Sequence, residues 1–271
     1  MACTKTKTAI IGGAIVLLTI GTATVTIEKL HAGQIQKTAD GAIDWQITAL
    51  TRDNKTLESM PPMVDIFPTK FPNGGGWRMG RRNKIAGLNH SVADIILMAY
   101  GYIQPVDKRA RMILETDLPG GKYDFISSVS SNAAEALQEK IKEKFGVVAK
   151  REIRQTDALV LRVKTPNAPG LKPSNAGPNS GWSSGEGGTW TDAPMQGVAS
   201  WLEAALNTPV IDQTGLKRRY NIDLQLSKGT GNSHDVIGQR QLARQVVLDQ
   251  LGLELVPTNM PVEMLVVEKA K

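Results

Sequence analysis

Two stretches of this chain overlay at a constant offset of 106 residues, and that internal match restricts its possible folds more than any other feature. Residues 92–100 lie over residues 198–206, both with apolar side chains at helical spacing. Leu137, Ile141 and Phe145 step by four along one helix face, with Gly146 next; Ala243, Val247, Leu251 and Gly252 repeat the pattern. Glycine in that place ends a helix, because it enters the left-handed region without a Cβ penalty. Each glycine precedes two strand-like runs, 147–149 then 158–163 in one copy and 253–256 then 264–267 in the other. Between the helices, 123–126 and 220–226 read as strands led by tyrosine, 97 residues apart because the loop lengths differ.

Each copy therefore predicts the order strand, helix, strand, helix, strand, strand. The opening strands fall at 64–67 or 77–88 in the first copy and around Thr189 and Trp190 in the second. Adjacent strands with interspersed helices imply an α+β fold, two repeated modules whose helices pack on a mainly antiparallel sheet. The expected division is 61–164 for the first module, 165–188 for a linker rich in Gly, Pro and Ser, and 189–271 for the second module.

The N-terminus differs in kind. Residues 8–27 carry no charge, and twenty helical residues span about 30 Å, the thickness of a bilayer's hydrocarbon core. Lys5 and Lys7 precede the run and favour a cytoplasmic N-terminus with the remainder exported. Residues 1–30 are thus expected to be a transmembrane anchor or a signal peptide, and 31–60 a stalk that ends at Pro61 and Pro62. The length of the run favours a retained single-pass anchor. A cleaved signal near Ala23, giving a periplasmic or secreted protein, is the alternative.

Chemistry-bearing patterns are sparse. One cysteine among 271 residues excludes an internal disulfide framework and a multi-cysteine metal site. A net charge of +6 without a dominant basic run argues against nucleic acid as a partner. His31, His90 and His234 stand far apart and form no metal-ligand pattern. The pair His234 and Asp235 could orient a base, which is the basis of an alternative reading as an extracytoplasmic hydrolase. The glycine runs 74–76 and 185–188 lack the context of a phosphate loop, and no Gly-x-Ser-x-Gly elbow is present. Asp212-Gln-Thr-Gly-Leu reads as a turn.

The remaining candidates are ligand-binding ones. Trp77 with Arg78 and Arg81 pairs an aromatic with cations, suited to an anionic polymer or headgroup. Trp182 and Trp190 flank a glycine loop, where exposed aromatics often serve as anchors. Trp201 sits at a core position of its helix. The sequence leads to a non-catalytic binding module without a cofactor, tied to the membrane by its N-terminal helix and directed at an envelope protein or polymer.

A family resemblance covers roughly residues 61–269. The segment 145–163, with its basic-flanked Glu152 before a Leu/Val strand, the loop 168–174, the element Pro209-Val-Ile-Asp-Gln-Thr-Gly-Leu-Lys-Arg-Arg-Tyr and the closing run 251–269 carry it. They resemble a large group of paralogous bacterial proteins, expanded in soil bacteria, classed as a domain of unknown function, three-seven-three-eight. Residues 64–70 depart from the commoner form of that family's opening strand, which ends Ser-x-Lys. The resemblance implies an exported or membrane-anchored protein and carries over no catalytic residues.

Overall fold

The computed structural model describes residues 16–20, 23–27, 60–71, 77–81, 84–102, 105–174, 180–184, 187–225 and 236–271. Among these the fold is α+β, with four α-helices and mostly antiparallel sheets. Within the charge-free stretch, Val16–Ile20 (β1) and Ala23–Ile27 (β2) pair antiparallel. Seven of those ten residues are Val, Ile or Thr, a β-branched bias that suits strands, and the hairpin stands where a helix was expected. No helix among the described residues is long and apolar enough to cross a membrane. The expected stalk at 31–60 lies outside the described residues apart from Met60.

The chain divides into two compact units that do not follow the expected boundaries at 164 and 189. The first comprises Met1–His90 and Gly121–Leu137, the second Ser91–Gly120 and Gln138–Lys271. The reason is that Met112–Leu114 and Val147–Val163 from one half pair with Val210–Asp212 and Leu253–Lys269 from the other.

In the first unit, Val64–Pro68 (β3), Trp77–Arg81 (β4), Lys84–His90 (β5) and Tyr123–Ser127 (β7) form an antiparallel sheet in the order β3-β7-β5-β4. Met60, Ala86, Leu88 and Ile126 pack together on it with Met63, Phe67 and Phe71. The register between β5 and β7 slips between Gly87 and His90, where Asn89 adopts a left-handed φ of 61°. The Asn89 amide displaced by this bulge donates to Asp124 Oδ1 at 2.8 Å, and Lys70 N–H donates to Oδ2 at 3.1 Å. A fully buried carboxylate thus supplies acceptors that the ladder cannot.

The second unit opens with Val92–Ala99 (α1), capped by a reciprocal Ser91 and Asp94 box. The 3-10 helix Pro105–Arg111 leads into Met112–Leu114 (β6). Ala133–Phe145 (α2) ends at Gly146, φ 66°, and Val147–Val163 (β8) follows. Lys172–Pro173 (β9), Ser180–Ser184 (β10) and Gly187–Ala193 (β11) precede Met195–Leu206 (α3), Val210–Asp212 (β12) and Tyr220–Gln225 (β13). Val236–Leu251 (α4) ends at Gly252, φ 62°, before Leu253–Lys269 (β14). Both glycine stops expected from the sequence are present.

Two four-stranded sheets result. One runs β10-β11-β13-β9 and the other β12-β8-β14-β6. The second is built on an uninterrupted antiparallel ladder of β8 and β14, from Val147↔Lys269 to Val163↔Leu253. The sequence suggested two short runs in each place, interrupted in the later copy by Pro257 and Pro261. Both prolines stand at the same register parity on a stretch where β14 has no second neighbour, so neither breaks the ladder to β8. Short parallel strands close the sheet, β12 on β8 at Val210↔Leu159 and β6 on β14 at Met112↔Leu265.

The expected linker 165–188 is partly built into this unit. Ala168 and Leu171 are buried, β9 pairs with β13, and the α-carbon of Gly170 lies so close to the Gln250 carbonyl that no side chain fits. Trp190 and Trp201 meet edge to face, with ring centroids 5.7 Å apart, in a core with Leu202, Leu224, Val247 and Leu253. Glycines make the space: a Cβ on Gly181 would lie 2.9 Å from Trp190 Cδ1, and one on Gly188 would enter the indole's six-membered ring.

Replacing Gly188 by Ala is therefore expected to cost about 1–3 kcal/mol through overpacking. Gly120→Ala, where a Cβ meets nothing within 4 Å, is expected to leave stability unchanged. Urea unfolding of the two variants checks the contrast.

Candidate functional site

Four of the sequence-predicted ligand residues fall on two separate edge strands, and Trp190 falls on an inner one. Trp77, Arg78 and Arg81 lie on β4, the edge of its sheet, where Arg78 stands at the opposite register parity and is half-buried. The side chains of Trp77 and Arg81 lie outside the described residues. Trp182 is on edge strand β10 opposite Thr189, and its side chain likewise lies outside them. Trp190 is 7% exposed, so it is a core residue and not a surface anchor. Its burial depends on Gly181, Gly188 and Gly197, whose spacing carries no recognisable pattern in the sequence.

Among the polar candidates, His90 is buried edge-on to Phe125, 5.8 Å between ring centroids. His234 and Asp235 lie outside the described residues. Asp212 forms the expected turn, accepting from Thr214 N–H at 3.0 Å and Thr214 Oγ1 at 2.7 Å, with Gly215 at φ 66°. Arg219 is committed to Asp192, whose carboxylate and carbonyl oxygens both accept from its Nε at 2.8 Å. Among the described residues no three His, Cys, Asp or Glu side chains gather as metal ligands would.

The structure brings together two groups that sequence reading did not single out. The first is an ion cluster around Glu203 on α3, only 1% exposed. Arg111 donates to both carboxylate oxygens at 2.6–2.9 Å, Lys108 donates to Oε1 at 2.9 Å, and the Val210 amide donates to Oε2 at 3.0 Å. Burial by itself pushes the Glu203 carboxyl up, but the hydrogen bonds from Arg111, Lys108 and Val210 outweigh it and hold the group below the usual glutamate range. The cluster ties the cationic 3-10 helix to α3 and fixes the start of β12. Every lone pair is used by the protein, so this is a positioning device.

The second group lies beside β12. A cavity of about 400 Å³ is lined by Asp157, Ala158 and Leu159 of β8, Pro257 and Thr258 of β14, Thr208 and Arg244. Thr208 is placed there by the Glu203 cluster two residues on, and its hydroxyl donates to the Leu206 carbonyl at 3.1 Å. Asp157 Oδ1 accepts from Asn259 Nδ2 at 2.8 Å. Arg244 Nε is shielded from solvent and has no hydrogen-bond partner among the described residues. A buried guanidinium nitrogen left without an acceptor is costly, and cavities with a few convergent polar groups are where ligands bind. Sequence could not reveal the site, because its residues come from four separated segments and its key property is a missing partner.

Two outcomes follow for the ion cluster. Arg111→Met should cost about 3 kcal/mol by leaving a buried carboxylate under-compensated, and adding Glu203→Met should recover most of that loss, as read by denaturant unfolding. In the parent protein the lowered Glu203 value stabilises the fold above the ordinary glutamate value of 4.5. The unfolded chain takes up the proton first as pH falls below 4.5, so that contribution declines until the folded carboxyl is protonated too. Glu203→Met should flatten this part of the pH–stability curve.

Comparison with known families matches residues 93–270 to one described as "Protein of unknown function (DUF3738)". No curated protein matches, and no solved structure does.

Proposed function

Because the chain belongs to the DUF3738 family, for which no activity is described, we propose a role from its own residues: an exported, membrane-anchored, non-catalytic binding protein of the cell envelope. The observation that carries the binding reading is the cavity beside β12. It offers a cation unpaired among the described residues, the Thr208 hydroxyl and an apolar wall, and neither a histidine nor a cysteine among those residues lines it.

Export and anchoring rest on composition. Residues 8–27 lack charge, and Lys5 and Lys7 precede them. In hydrocarbon an open two-stranded hairpin would leave its outer amides unpaired, so insertion requires this segment to become helical.

The fold enters the proposal as a duplicated module. The offset of 106 is kept by the two glycine stops and their bonds, Gly146 N–H to Lys142 O and Gly252 N–H to Leu248 O, each 2.9 Å. It relates Leu159 to Leu265, the residues that receive β12 and β6 in parallel register. Asp192, φ 49°, repeats the bulge of Asn89, and its amide donates to Asn221 Oδ1 at 2.9 Å as that of Asn89 does to Asp124. The two copies interlock, each placing its short strand on the other's long one.

Spheroplast proteolysis of the full-length chain tests the location. Digestion of the part beyond residue 30, with membrane association lost when residues 8–27 are deleted, is the expected result. Protection of the C-terminal part inside intact spheroplasts would overturn export. A hydrolytic turnover abolished by His234→Ala or Asp235→Ala would overturn the non-catalytic reading.

A further inference from the structure

Arg244 lines the cavity, its Nε is shielded from solvent, and its side chain makes no hydrogen bond or ion pair among the described residues. The place 106 residues earlier is occupied differently. There Gln138 Nε2 donates to the Ala99 carbonyl at 2.8 Å. Arg151, the counterpart of Pro257, binds Glu263 at 2.7 Å and the Tyr102 hydroxyl at 2.8 Å. Glu263 is in turn the counterpart of Asp157. In the first position the cation and the anion pair with each other and the amide is satisfied by a main-chain carbonyl. In the second, proline removes the cation that would pair with Asp157, which turns to Asn259 instead, and arginine replaces the amide without gaining an acceptor.

We propose that this cavity binds a small monocarboxylate with a short apolar body, an assignment that rests on the binding-protein reading above. The carboxylate supplies the acceptor that the Arg244 guanidinium lacks, as charge-assisted pairs with guanidinium do. Leu159 and Pro257 provide the apolar wall. The Thr208 proton is committed to Leu206, so the guanidinium is the donor on which the carboxylate depends. Asp157 in the same lining opposes a second negative charge, so a monoanion is favoured over phosphate. The volume of about 400 Å³ suits a ligand of a few to a dozen heavy atoms.

Calorimetric titration of the full chain with isobutyrate, N-acetylvaline, isobutyramide and inorganic phosphate tests the assignment. The acids are expected to bind at least about tenfold more tightly than the amide, the value of one charge-assisted hydrogen bond, and more tightly than phosphate. Arg244→Gln should lose about tenfold or more for the acids and little for the amide, and Arg244→Lys should retain part of the affinity. Preference for N-acetylvaline assigns the carboxylate to a peptide C-terminus, and preference for isobutyrate assigns it to a free acid. Equal binding of the amide, or phosphate binding above the acids, overturns the carboxylate assignment while leaving the cavity a binding site. Absence of binding by all four probes overturns both, and the spheroplast result stands independently. If Arg244→Gln does not fold, the acid–amide comparison on the unaltered chain decides.

Discussion

The antiparallel ladder between Val147–Val163 and Leu253–Lys269 is the constraint on which the second unit depends. Its register places Gln155 opposite Pro261, residues 106 apart, so the ladder's midpoint relates the two halves of the chain to each other. Shifting that register by one residue would turn Leu159, Leu161, Leu253 and Leu255 out of the core they share with α3 and α4. The parallel strands β6 and β12 dock at fixed positions on the ladder, and the 3-10 helix and α3 are located by what precedes or follows those strands. The cavity beside β12 exists where it does because Leu159 and Pro257 are ladder partners.

Much of this was legible where a single residue's conformational preference decides the outcome. Gly146 and Gly252 end helices because the left-handed backbone costs them nothing, and Asp212 with Gly215 makes its turn for similar local reasons. The continuity of β14 was not legible, because prolines end a strand unless their missing amides face an unpaired flank, and only the sheet order reveals the flank. The core position of Trp201 followed from helical spacing. That of Trp190 did not, since it depends on glycines on two strands and a helix that the linear pattern leaves unrelated. Domain boundaries failed for a related reason: composition marks flexible segments, and strand exchange between halves ignores them.

Glu203 and Arg244 illustrate opposite uses of buried charge. Glu203 is surrounded by two cations and an amide, and its value lies in where it holds the chain. Such clusters contribute little net stability compared with an apolar core, but losing one partner is expensive, so they specify a single arrangement. Arg244 is left with an open valence for a hydrogen bond that nothing among the described residues completes. The first kind of group locates the wall of the cavity and the second gives that wall a chemical preference.

The ladder also governs how the chain reaches its folded state. Every pair in it joins residues at least 90 positions apart, from Leu253 with Val163 to Lys269 with Val147. Loops of that length close slowly, and non-local pairing is rewarded only after the entropy of closure has been spent. As the ribosome delivers the chain, β8 emerges with its long edge unpaired, and it stays so until Leu253–Lys269 is made. The central sheet therefore cannot set before Leu253–Lys269 exists, and until then the exposed edge of β8 is the surface on which a folding chain is open to wrong pairing.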